Sequence, residues 1–356
     1  MSVPREDRRY GLVMTKRVTS QSTRPTQADV ARIAGVSQAM VSYVLNDKVV
    51  IAVPDETRQR ILDAIETLGY VPDRSAQSLR TRKSYTIACV IPDITNPFYP
   101  AFERGIQDVA EAHGYDFITY NTDGTAEKEL KCLRSLQRGH VDGVIATLFH
   151  LKPEQMRPLW ERDMAVVRFE PRRPRPTPAP LDFLYLDNHA AARAMVCYLV
   201  ERGHTRIGMI AGQQGPRSAR VRGYRDALTS EGIPADETLI RNSGFTEQGG
   251  YQGMRQLLAL IPRPTAVFAA NDLIALGALM AAREVGLGVP GDIALAGFDD
   301  IPAARLVSPA LTTVAQFEQS IGQRAASMVL DRLSGATAGV GRCEEMPYSL
   351  VVRESA

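Results

Sequence analysis

Residues 26–46 read TQADVARIAGVSQAMVSYVLN, and this stretch decides how the N-terminal part of the chain folds. It scans as two short helices with a tight turn between them. Val30, Ala31, Ile33 and Ala34 share one side of the first helix, at the spacing of an apolar stripe. Gly35 supplies the turn, because a residue without Cβ takes φ > 0 at little cost. Ser37 stands where a helix N-cap belongs, its hydroxyl placed to accept from a free backbone N–H. The second helix buries Val41, Val44 and Leu45 and turns Gln38, Ala39, Ser42 and Tyr43 outward. This is helix-turn-helix spacing, with a second helix of the size that enters a major groove. Taken alone, it also describes an ordinary αα-hairpin.

A third helix follows in VPDETRQRILDAIETLGYVPD, residues 53–73. Asp55 fits its N-cap, Ile61, Leu62, Ile65 and Leu68 repeat along it, and Gly69 and Pro72 stop it. Next comes DRSAQSLRTRKS, residues 73–84, in which Leu79 is the one large apolar side chain. From residue 85 the pattern changes to alternating strands and helices. Apolar strand candidates begin at Thr86, Asp116, Gly143, Ala165, Phe183, Arg206, Ala266 and Ile293. Short buried strands with helical crossovers predict parallel, doubly wound sheets, and 356 residues hold two of them in tandem.

Charge is unevenly spread. Residues 1–84 carry 14 Lys and Arg against 9 Asp and Glu, whereas the remainder carries 28 against 31. A basic head on a slightly acidic body suits a nucleic-acid contact at one end, although the same excess also fits a solvated surface. The four cysteines, Cys89, Cys132, Cys197 and Cys343, form no C-x-x-C pair. Two lie in apolar runs, which argues for buried thiols and a reducing compartment rather than a disulfide framework. No apolar run is long enough to span a bilayer, and the first 25 residues lack an apolar signal core. No G-x-G-x-x-G, H-E-x-x-H or G-x-S-x-G is present, and the five histidines are scattered. Catalytic residues, a metal and a cofactor are therefore not expected.

Six segments occur in a telling order: DVARIAGVS (29–37), SYVLN (42–46), IPDITNPFY (91–99), SARVRGY (218–224), ANDLIALG (270–277) and GFDDIP (297–302). With these the chain resembles the lactose-repressor (LacI/GalR) family of bacterial transcription regulators, over about residues 26–354. The resemblance implies a helix-turn-helix headpiece, a hinge helix, and an α/β core of two lobes like the periplasmic binding proteins. Residues 1–24 read as a disordered arm or as an extension ahead of a later start at Met14; the resemblance implies the headpiece at 25–72, the hinge and linker at 73–84, and the core at 85–356. Within the core, one lobe takes about 85–187 and 313–340, and the other about 188–312 and 341–356.

Further expectations follow from the same resemblance. DNA contacts fall on Thr26, Ser37, Gln38, Ala39, Ser42, Tyr43 and Asn46 of the headpiece and on Ala76, Leu79 and Arg80 of the hinge. The family usually has Thr and Arg at the positions of Met40 and Tyr43, and a tyrosine cannot fork onto guanine as arginine does. A ligand cleft between the lobes implicates Asn96, Phe98, Tyr99, Glu170, Arg220, Asn271 and Asp299. Carboxylates, an amide and an arginine can bind vicinal hydroxyls, and an aromatic face can stack on a sugar. Each also has a plainer role open to it: Asn271 or Asp272 can cap a helix, and Arg220 can serve in a structural ion pair. The implied protein is a homodimeric repressor in the cytoplasm, associated with the nucleoid. It binds a pseudo-palindromic operator under control of a small, sugar-like effector, without a membrane. A periplasmic binding protein, a two-domain α/β enzyme and a regulator with a silent pocket are the competing readings.

Overall fold

A computed structural model describes residues 25–45, 53–71, 83–138 and 141–356. They belong to two compact units divided between Gln77 and Ser78, each with its own apolar core. The expectations for the arm at 1–24, for Asn46 and for the hinge residues Ala76, Leu79 and Arg80 lie outside the described residues.

The first unit contains α1 (Gln27–Ala34), α2 (Gln38–Leu45) and α3 (Asp55–Leu68). Thr26 and Asp29 form a reciprocal cap: the Asp29 amide donates to Thr26 Oγ1 at 3.3 Å, and the Thr26 amide donates to Asp29 Oδ2 at 3.0 Å. Hydrogen bonds from Thr26 hold the Asp29 carboxyl down at about 2. Gly35 ends α1 at φ 64, in the left-handed region. Ser37 Oγ accepts from the Met40 amide at 3.2 Å and so caps α2. Val30, Ala31, Ala34, Val41, Val44, Ile61 and Ala64 form the core.

Three details differ from the sequence pattern. Ile33 is 48 % exposed and Leu62 is 44 % exposed, while Ala64 takes a buried place on α3. A three-helix unit this small has one narrow interior, and small side chains fill it where helices approach closely. Asp55 is the first residue of α3 rather than its cap; Pro54 precedes it and makes no side-chain cap.

The second unit begins with β1 (Thr86–Ile91), α4 (Phe98–Ala112), β2 (Asp116–Asn121), α5 (Ala126–Leu136) and β3 (Gly143–Ala146). A short α6 (Arg157–Trp160), β4 (Ala165–Glu170) and β5 (Leu181–Leu186) follow. Then come α7 (Asn188–Glu201), β6 (Ile207–Ala211), α8 (Arg217–Ser230), β7 (Ile240–Asn242), α9 (Glu247–Leu258), β8 (Ala266–Ala269), α10 (Asp272–Glu284) and β9 (Ala294–Ala296). The chain closes with β10 (Thr313–Ala315), α11 (Glu318–Leu333), β11 (Cys343–Met346) and β12 (Ser349–Val351).

Among the described residues these strands form a six-stranded sheet, β11-β5-β4-β3-β1-β2, a four-stranded sheet, β7-β6-β8-β9, and a pair, β10-β12. Both larger sheets are parallel throughout. Their central strands are buried on both faces, as crossover helices require. The two doubly wound lobes expected from the sequence are therefore present.

The lobe boundaries near the C-terminus need correction. Cys343–Met346 pairs with Phe183–Leu186 in the first sheet, so the return to the second lobe falls after Met346 and not at residue 341. Thr313–Ala315 belongs with the second lobe, because the Asp299 amide donates to Val314 O and the Gly297 amide to Thr312 O, both at 2.8 Å. These strands have three or four residues, and Cys-Glu-Glu-Met carries no apolar run, so periodicity did not mark them.

Candidate functional site

The carboxyl ends of the strands of both lobes converge on one cleft of about 590 Å³, its open mouth included. Asn96, Phe98 and Tyr99 follow β1; Thr147, Leu148 and Phe149 follow β3; Phe169 and Pro171 flank the end of β4. Asn188 starts α7, just after β5. From the second lobe come Pro216 and Arg220 after β6, Phe245 after β7, Asn271 after β8, Asp299 after β9 and Gln316 after β10. Loops beyond strand ends are where open α/β sheets bind ligands, because the strands direct the connecting backbone outward at that edge.

The polar floor is a network around Arg220. Its Nε donates to Asn188 Oδ1 at 2.8 Å, and one terminal nitrogen donates to the Ala270 carbonyl. The other lies 3.8 Å from Asp299 Oδ1. The guanidinium sits 3.5 Å from the ring centroid of Phe298, in cation–π contact. Gln316 Nε2 donates to the same Asp299 oxygen at 2.6 Å. Burial pushes the Asp299 carboxyl up to about 7, against the opposing pull of Arg220 and Gln316. Burial also lowers Arg220 to about 10, with Asp299 resisting. Asp299 has φ 119, a conformation rare for a residue with a side chain.

Asn271 caps a helix and also lines the cleft. Its Oδ1 accepts from the Ile274 amide at 2.9 Å and caps α10. Its Nδ2 is buried, has no partner, and belongs to the cleft lining. Thr147 Oγ1 is likewise buried without a partner at the cleft. An apolar wall faces them: the Phe98 and Phe169 rings stack at 6.2 Å, and Tyr99 meets Phe98 edge-on at 5.1 Å.

Of the seven cleft residues named from sequence, Asn96, Phe98, Tyr99, Arg220, Asn271 and Asp299 line the cleft. Glu170 is outside that lining. Its carboxylate pairs with Arg168 Nε at 2.7 Å, because the strand ends with it beside the buried guanidinium. Asp272 is also set apart, accepting from the Ile301 amide at 3.0 Å and from Thr313 Oγ1 at 2.6 Å. Sequence reasoning missed Thr147, Phe149, Asn188, Phe245 and Gln316. Their shared signal is position, one to four residues beyond a strand end or at the start of the next helix.

On the headpiece, Ser37, Gln38 and Ala39 are exposed, and Ser42 and Tyr43 are half-buried. Thr26 is an exposed cap whose hydroxyl also donates to Asp29 Oδ2 at 2.7 Å. Among the described residues no three His, Cys, Asp or Glu side chains gather as a metal site, and no helix is long and apolar enough to cross a membrane.

Known proteins share both halves of this arrangement. Residues 26–73 match the family described as bacterial regulatory proteins, lacI family, and residues 196–356 match the periplasmic binding protein-like domain. The transcriptional repressor CytR of Escherichia coli (strain K12) is 36 % identical over 343 residues, 94 % of this chain and 97 % of that protein. The chain belongs to the LacI family. Its headpiece and lobes accordingly mark it as a DNA-binding transcription regulator with a helix-turn-helix. Among solved structures, the transcriptional regulator CelR–cellobiose complex has a TM-score of 0.70 and 32 % identity, covering 94 % of this chain and all of that one. The Lac repressor dimer bound to operator and the anti-inducer ONPF has a TM-score of 0.79 at 25 % identity, covering 93 % and 98 %.

Proposed function

We propose that this LacI-family regulator is a repressor that binds a pseudo-palindromic operator as a homodimer and releases or tightens its grip when a sugar-like effector occupies the interlobe cleft. The observation that carries this reading is the pairing, in one chain, of an exposed recognition-helix face with a cleft whose unpartnered Asn271 amide and Thr147 hydroxyl call for a hydroxylated ligand. An unmet buried polar group is costly, and a ligand hydroxyl relieves it. The charged groups of the described lining, Arg220 and Asp299, lie beside each other, which favours a neutral sugar over a phosphate ester. The relatives support the same assignment, one being described with cellobiose and one as a dimer on operator DNA. The effector-contacting set is then Asn96, Phe98, Tyr99, Thr147, Arg220, Asn271 and Asp299. The DNA-contacting set is the one given from sequence. The protein works in the cytoplasm, on the nucleoid, without a cofactor.

Selection of sites from a random DNA pool by the full chain tests the first part. The expected product is a sequence with two-fold symmetry, since protein symmetry imposes itself on the site. Gln38→Ala should then relax preference at one base pair per half-site, at about 1–3 kcal/mol there. Enrichment of a single asymmetric site, or equal loss of Gln38→Ala on specific and random DNA, would count against the reading.

A further inference from the structure

The segment after β3 supplies three residues of the cleft lining, Thr147, Leu148 and Phe149. It is a loop, yet two buried charges hold it by its backbone. Glu129 of α5 is 1 % exposed. Its Oε1 accepts from the Phe149 amide at 2.7 Å, and its Oε2 accepts from the His150 amide at 3.1 Å and the Leu151 amide at 2.8 Å. Arg168 of β4 is 3 % exposed. It donates from Nη1 to the Leu151 carbonyl at 2.8 Å and from Nη2 to the Leu148 carbonyl at 3.5 Å. Its Nε is paired with Glu170, as described above. His150 adds a contact of its own, Nε2 lying 2.9 Å from the Gly124 carbonyl.

Burying a carboxylate and a guanidinium is expensive unless their bonds are well met. Here Glu129 gives its hydrogen bonds to one short loop and Arg168 gives two, and bonds to charged groups are about twice as strong as neutral ones. Such a grip fixes the loop more tightly than a surface connection needs. What the loop presents gives the reason. Thr147 lines the cleft, and its Oγ1 is buried without a partner. Phe149 reaches the other lobe: a Cβ built on Gly215, which precedes α8, would fall 2.6 Å from Phe149 Cε1. Only a residue without Cβ lets the ring sit there.

We infer that Glu129 and Arg168 are positioning residues of the ligand site, holding the Leu148–Leu151 backbone so that Thr147 meets the ligand and Phe149 meets the opposite lobe. This rests on the ligand-binding reading of the cleft given above. Glu170, read from the sequence as a ligand contact, acts instead through Arg168. The clamp is a property of the ligand-facing wall and not a general brace of the first lobe, because the strands of that sheet are already paired and buried without it.

The test uses the full chain and three neutral probes, cellobiose, D-glucose and D-ribose, titrated by calorimetry. Amide hydrogen exchange is read in parallel. Glu129→Gln keeps the shape and removes the charge; Arg168→Met keeps the length and removes the donors; Gly215→Ala displaces Phe149 from the second lobe and leaves both charges alone. The three variants reach the loop by independent routes, so misfolding of one leaves the comparison intact. The expected result is that the affinity for whichever probe binds falls about ten-fold or more in each variant. Exchange at the Phe149, His150 and Leu151 amides should quicken in the first two, while the Ile145 and Val167 amides stay protected. Faster exchange at the loop with affinity held within about two-fold would reduce the clamp to a stabilising role and overturn the inference. Unchanged exchange would overturn it as well. Failure of the wild type to bind any probe would instead sink the ligand reading of the cleft, and this inference with it.

Discussion

Asp299 joins an unusual backbone, φ 119, to a carboxyl that burial holds near 7. The ordinary value is 3.8. Between about 4 and 7 the folded chain therefore keeps a proton that the unfolded chain has lost. By linkage, stability from this group declines as pH rises through that window and is level above it. Asp299→Asn removes the titration and keeps the shape, and asparagine tolerates positive φ better than most residues. Denaturant unfolding of both proteins across a pH series should show the wild type losing stability relative to the variant from pH 4 to 7. Parallel curves would place the proton elsewhere, since burial also raises the carboxyls of Asp272 and Glu318, the latter to about 8. Arg220 calls for a different expectation. It is 4 % exposed and holds Asn188, Ala270 and Asp299 together. Arg220→Ala leaves the Asn188 and Ala270 acceptors buried without their donor, and a melt should show a loss of about 1–3 kcal/mol. It is therefore a poor probe of ligand contact alone, which the motif SARVRGY did not reveal.

At the scale of elements, helices α4 and α11 cross where both carry a glycine. A Cβ on Gly105 would fall 2.1 Å from the Gln319 carbonyl oxygen, and one on Gly322 would fall 2.0 Å from that of Phe102. The backbones touch, so Gly105→Ala must part the helices. Overpacking of this kind costs about 1–3 kcal/mol, and a thermal melt of the core should show it, whereas Gly114→Ala, with nothing within 4 Å, carries only the strain of its φ of 73. This crossing also shows where sequence reading stopped. The buried strands of both sheets were legible because residues 87–91 and Ala266–Ala269 are apolar throughout, which a strand buried on both faces demands. The pairing of β11 with β5 was not, because Cys343–Met346 reads as polar and its partner lies about 160 residues earlier. The cleft divides in the same way. Arg220, Asn271 and Asp299 were reached through the family resemblance carried by SARVRGY, ANDLIALG and GFDDIP. Phe149 and Phe245 were not, since an aromatic after a strand looks like core. Glu129 has no local sequence signal that sets it apart, because its three amide partners lie about 20 residues away.

At the scale of the whole molecule, the helix-turn-helix and the cleft belong to separate compact units with separate cores. Coupling must pass through a conformational equilibrium of the core, and a ligand shifts that equilibrium only by its differential affinity for the two states. Typical coupling is about 1–3 kcal/mol. Loss of one hydrogen bond between a charged group and the ligand removes a comparable amount. Asp299→Asn is therefore expected to abolish the effect of the bound sugar on operator affinity at ordinary sugar concentrations, while sugar-free operator affinity stays within about two-fold of wild type. In an induced repressor the variant represses permanently; in a corepressed one it never represses. The measurement is fluorescence anisotropy of a labelled operator with each protein, with and without the sugar probe that binds in calorimetry. A full response in the variant would remove Asp299 from the effector contacts. Loss of sugar-free operator affinity would show that the two units share more than a conformational equilibrium.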